Sequence, residues 1–228
     1  MVTRVYLPST GTPSISPAFD AGWEVTTNAD RRTAVTTRIS SAMTNKDGAG
    51  DTTTTDQLLR QYILGPVGSQ TISGTIKGQM RIVNNTGTAV GMLKVAIAKC
   101  ASDGSGVTQI LAPTSSSTIE TAPPGSTTTL TNRRLEEGVD DFALNLTSTG
   151  VNDGDFLIIE LGYKDQSGNA ARFMSINFGD DSGTDLAEDE TTTTANNPWV
   201  EFSMDITFSG GGPPATPAFR LSLLRAGR

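Results

Sequence analysis

The chain has no histidine and only one cysteine among its 228 residues. Without histidine there is no Ser-His-Asp or Cys-His relay, and no zinc site that depends on an imidazole ligand. A single cysteine allows no intrachain disulfide and no thiolate cluster. That residue, Cys100, ends the alternating run Gly91–Cys100, where a small half-buried strand residue is expected and no imidazole is present to generate a thiolate. No window approaches the ~18 apolar residues of a membrane-crossing helix, and no apolar stretch of signal-peptide length follows Met1. Cations are outnumbered: the formal charge is −7 and the pI near 4.6. The average field therefore repels phosphate backbones, so neither nucleic acid nor a membrane is expected as a partner.

What is abundant is glycine, proline, serine and threonine. With 24 glycines, 11 prolines and 36% hydrophobic content, the composition favours strands and turns over helices and is sufficient for one core. From Gln70 to Val83, Ile72, Gly74, Ile76, Gly78, Met80 and Ile82 alternate with Thr71, Ser73, Thr75, Lys77, Gln79 and Arg81. That is period two over a long strand, with one face core and the other wet. Leu93, Val95 and Ile97 continue the inward pattern beside outward Lys94 and Lys99. Strands also read at 141–146, 155–163 and 171–178, and Val200, Phe202, Met204, Ile206 and Phe208 share one face of a last strand over 199–208. Residues 57–64 fit either a strand or a helical turn. The expected fold is an all-β antiparallel sandwich of jelly-roll type over 23–208, with about nine or ten strands. An extended arm over 1–22 precedes it, and a Gly/Pro linker with an apolar and basic tail over 209–228 follows. Phe219, Leu221, Leu223 and Leu224 of that tail are candidate partner contacts.

Candidate chemistry is confined to carboxylates and a few aromatics. The run Gly179–Glu190 gathers six acidic side chains, and Asp180, Asp181 and Asp185 are the candidate ligands for calcium, although the spacing is not that of an EF-hand. A glycosidase needs two carboxyls across a cleft, and Glu160 and Glu201 are the strand-borne candidates, each more simply read as a solvated strand residue. Trp23 and Trp199 form the candidate glycan-stacking pair of a receptor- or carbohydrate-binding module, with Tyr62 and Tyr163 as further platforms, but either tryptophan also fits the edge of a core. No catalysis and no obligatory cofactor are expected.

Two stretches carry a resemblance. One runs from Val5-Tyr-Leu-Pro-Ser-Thr-Gly-Thr-Pro13 through Pro17-Ala-Phe-Asp-Ala-Gly-Trp-Glu-Val-Thr-Thr-Asn-Ala-Asp-Arg31. The other runs from Asn177-Phe-Gly-Asp-Asp-Ser-Gly-Thr-Asp-Leu186 through Glu190-Thr-Thr-Thr-Thr-Ala-Asn-Asn-Pro-Trp-Val-Glu-Phe202. Over most of 4–206 the chain resembles a group of β-rich proteins encoded among the virion structural genes of tailed bacteriophages and prophages. The resemblance implies a component of the head, neck or tail, with capsid decoration as the foremost role, and carries no catalytic residues. It implies contact with other virion proteins such as the major capsid protein; the lack of disulfides fits assembly in the bacterial cytoplasm, and an arm and tail that bury area on neighbours favour a homo-oligomer, with a trimer as one form.

Overall fold

A computed structural model describes residues 2–49, 52–84, 89–115, 120–121, 131–135, 144–169, 173–181 and 196–210. The period-two segments become strands, and the described residues contain thirteen of them and no helix. They are β1 (Thr3–Tyr6), β2 (Asp30–Thr33), β3 (Thr44–Asp47), β4 (Thr55–Leu64), β5 (Gln70–Asn84), β6 (Val90–Cys100), β7 (Thr108–Ser115), β8 (Glu120–Thr121), β9 (Thr131–Leu135), β10 (Asn145–Val151), β11 (Phe156–Asp165), β12 (Met174–Phe178) and β13 (Trp199–Phe202).

The fifteen-residue β5 is the spine of a seven-stranded sheet. Along one edge, residues 76–79 pair with β13 and 81–84 with β12; along the other, residues 70–75 pair with β10 and 78–82 with β9. β1 extends the sheet beyond β13, and β3 extends it beyond β12. The second sheet has six strands in the order β2-β4-β11-β6-β7, with β8 also on β6. Every named pairing is antiparallel except β2 with β4. Between the sheets Ile72, Ile76, Met80 and Ile82 of β5 meet Leu93, Val95 and Ile97 of β6, Leu157, Ile159 and Leu161 of β11, and Val200 and Phe202 of β13. At about 1.5–3 kcal/mol per large apolar side chain removed from water, this layer holds the sandwich together.

One open reading is resolved and three expectations need revision. First, 57–64, which fits either a strand or a helical turn in sequence, is strand, and every residue of β4 from Gln57 onward is buried; the continuous apolar run hid its period because both faces of this sheet are covered. Second, the segment read as an arm over 1–22 is bound to its own body. β1 belongs to the first sheet, and residues beyond it cross the outside of the second, where Ile15 packs on Ile63, Ala98, Cys100 and Ile158, and Phe19 packs on Trp23, Leu58 and Ala96. Third, Gln79 and Arg81, read as wet, are 1% and 2% exposed, because Met43 and Trp199 lie beside them on the outer face. Fourth, the last strand ends at Phe202. Past it, side chains replace ladder bonds: Ser203 Oγ accepts from Thr75 N, Thr3 Oγ1 from Ile206 N and Gln70 Oε1 from Thr207 N. The expected inward residues persist, with Ile206 buried and Met204 and Phe208 packed against the core.

Candidate functional site

Glu160 stands on the outer face of the second sheet, between core-facing Ile159 and Leu161. The crossing segment seals it. Trp23 Nε1 donates to Glu160 Oε2 at 2.6 Å, Gln61 Nε2 donates to Oε1 at 2.8 Å, and the Asp20 backbone N–H reaches both oxygens at 3.2 and 3.3 Å. Burial pushes the Glu160 carboxyl above the usual carboxylate range, and the three donors oppose that rise without cancelling it. Beside it, buried Lys94 forms an ion pair with Asp56 and lies 5.5 Å from the Trp23 ring centroid. This outward lysine is therefore not a solvated one.

The first sheet has its own tryptophan and glutamate outside. Trp199 is fully buried, with the Arg4 guanidinium 4.0 Å and the Lys77 ammonium 6.0 Å from its ring centroid. Glu201 Oε2 binds Arg4 Nε at 2.9 Å and Oε1 lies 3.5 Å from Lys77 Nζ. Glu160 and Glu201 thus sit on opposite outer faces of the sandwich, each engaged by its own neighbours. They do not flank a common cleft, as a glycosidase pair must.

The indoles do not present a stacking surface. Trp23 is 6% exposed and Trp199 0% exposed, so both are framework residues and not the exposed platforms of the glycan-binding alternative. Tyr62 and Tyr163 are core residues, and burial raises both phenols far above their ordinary range. Tyr62 donates to the carbonyls of Leu7 and Pro8.

Of the candidate calcium ligands, Asp180 is buried and its Oδ2 lies 3.5 Å from Arg38 Nε, while Asp181 Oδ1 accepts from Asn196 N at 2.6 Å. Asp185 lies outside the described residues, as do Phe219, Leu221, Leu223 and Leu224. No group of three or more His, Cys, Asp or Glu side chains suited to a metal occurs among the described residues. Where the tail begins is defined: Phe208 bridges to Val67, Ser209 N donates to Pro66 O, and Ser209 Oγ donates to Val67 O at 2.6 Å.

One cluster escaped sequence reading. Asp30 Oδ1 binds Arg60 Nε at 2.7 Å; Asp30 Oδ2 binds Arg60 Nη2 at 3.1 Å and Arg32 Nη2 at 2.9 Å, and lies 3.9 Å from Lys46 Nζ. Asp30, Arg31 and Arg32 are adjacent in sequence, but Arg60 arrives only through the parallel pairing of β2 with β4, and Lys46 only from the other sheet. No local spacing announces either.

These features define an all-β protein whose two sheets pack against each other as a sandwich. No protein-family model and no curated protein matches the chain. Among solved structures, two of a CocE/NonD family hydrolase from Staphylococcus aureus are similar at TM-scores of 0.45 and 0.47 and identities of 10% and 11%. They cover 88% and 89% of this chain, which spans 36% of the hydrolase chain in each. A structure of infectious bursal disease virus, Gx strain, is similar at a TM-score of 0.24 and 12% identity, over 90% of this chain and 39% of that one.

Proposed function

We propose that the chain is a non-catalytic structural component of a tailed-phage virion, a capsid decoration or cement protein that stabilises the particle through subunit contacts. In this reading it assembles in the bacterial cytoplasm and contacts the major capsid protein and further copies of itself. The observation that carries it is the engagement of the candidate catalytic and stacking side chains: Glu160 and Glu201 are held on opposite faces, and Trp23 and Trp199 are buried. The resemblance over 4–206 supports the virion setting. Strand order supports a jelly roll: β1-β13-β5-β10 in one sheet and β4-β11-β6-β7 in the other, the arrangement of two interleaved four-stranded sheets. Ser209, pinned to Val67, gives the C-terminal segment a fixed origin from which to reach a neighbour.

The test compares the full chain with one ending at Gly210, by light scattering and by co-sedimentation with purified phage heads and tails. Particle binding by the full chain, weakened or lost on truncation, is the expected result. A full chain that stays monomeric and ignores both particles would remove the structural reading. Binding that survives truncation would transfer the contact from the tail to the sandwich.

A further inference from the structure

We infer that the edge where β2 meets β3 is a binding site for a small multivalent oxyanion, such as inorganic phosphate or sulfate, held by Arg32 and Lys46 over the Asp30–Arg60 pair. The argument starts from charge. Arg32, Lys46 and Arg60 converge on one carboxylate, which leaves a formal surplus of two positive charges at one point of a chain whose net charge is −7. Tyr62 cannot supply the missing anion: its hydroxyl is occupied as a donor to the Leu7 and Pro8 carbonyls, and burial keeps it protonated.

Donor inventory points the same way. Arg60 is buried: its Nε and Nη2 are committed to Asp30, its Cζ lies 4.5 Å from the Phe178 ring centroid, and its Nη1 has no hydrogen-bond acceptor. Lys46 is less than a quarter exposed and touches Asp30 only at 3.9 Å, so its ammonium keeps donors for a second oxygen anion. Arg32 is held in place by the carbonyls of Ser9 and Arg31 and by Asp30, and each of its terminal nitrogens has one further N–H to donate. Arg32 and Lys46 contact the same oxygen, Asp30 Oδ2, from different sheets. An oxyanion between them takes charge-assisted bonds from both and clasps the two sheet edges together.

Isothermal titration of the full chain with inorganic phosphate, in chloride at constant ionic strength, tests this directly. A saturable heat with one site per chain is expected, together with a Tm that rises and then levels off. Phosphate and sulfate also stabilise proteins by exclusion from their surfaces, but that effect does not saturate and is indifferent to a single side chain. Lys46→Gln and Arg32→Gln, each checked for native circular dichroism, should therefore weaken the saturable part roughly tenfold or more while leaving the unsaturable part intact. No heat from the unmodified chain, or a Tm response identical in all three proteins, would overturn the assignment.

Discussion

Glu160 is a carboxyl at 1% exposure, surrounded by N–H donors. Its native pKa lies above the 4.5 of a free side chain, with burial as the largest cause. The native state therefore holds this proton more tightly than the unfolded chain does. The stability linked to it is fully present below the unfolded value and is lost as pH rises through the raised native value. Urea denaturation of the parent and of Glu160→Gln from about pH 8 down to about pH 4 should show the difference moving in favour of the parent as pH falls. A difference that does not change with pH would mean that Glu160 titrates alike in both states. Trp23→Phe keeps a ring but removes the shortest donor, and should cost about 1–3 kcal/mol, read from the same denaturation curves. Cys100 makes a sharper statement. Burial pushes its thiol up to about 11, with the Asp155 and Asp103 charges adding to the rise. Iodoacetamide at neutral pH should leave it unlabelled in the folded protein and alkylate it readily in denaturant.

Individual strands depend on close backbone approach at a few glycines. At Gly162, where the β11–β4 register shifts, a Cβ would stand 1.9 Å from the Gln57 carbonyl oxygen. Gly150 in β10 has nothing within 4 Å of the same added atom. Gly162→Ala should therefore lose about 3 kcal/mol or more in thermal unfolding, while Gly150→Ala should stay within about 0.5 kcal/mol of the parent. Equal effects would place the two sites in similar surroundings. The element scale is also where sequence was most informative. β5 was legible because core on one side and polar surroundings on the other impose period two on side-chain polarity, and β6 because Leu93, Val95 and Ile97 alternate with Lys94 and Lys99; β11, covered on both faces, was legible only as an apolar run between turns. β4 was ambiguous because Leu58 and Ile63 face the crossing segment while Leu59 and Leu64 face the core, which leaves no alternation to read. The end of β13 was illegible for the opposite reason: the apolar pattern continues to Phe208, but Ser203, Thr3 and Gln70 take over the hydrogen bonds. As for the candidate site, Glu160 and Trp23 were singled out separately, yet nothing local joins residues 137 positions apart.

Across the molecule, the crossing segment, both sheets and the start of the C-terminal segment share contacts, so unfolding should be one event. Trp23 reports from the outside of one sheet and Trp199 from the outside of the other. In Trp199→Phe and Trp23→Phe, the fluorescence of the remaining indole and the far-ultraviolet circular dichroism should change at the same denaturant concentration within each protein. Separate midpoints for Trp23 fluorescence and circular dichroism would instead make the crossing segment an independently melting unit.

The pairing of β1 with β13 joins Thr3 to Phe202, nearly the two ends of the described chain. During synthesis the first strand emerges long before its partner exists. At about 5–20 residues per second, it waits roughly 10–40 s for residues 199–202 to leave the ribosome. Throughout that interval its backbone donors and acceptors have no strand of their own to meet. Chains growing side by side on one messenger therefore present matching vacant edges to one another, and crowding among ribosomes becomes a determinant of how much of this protein reaches its native pairing.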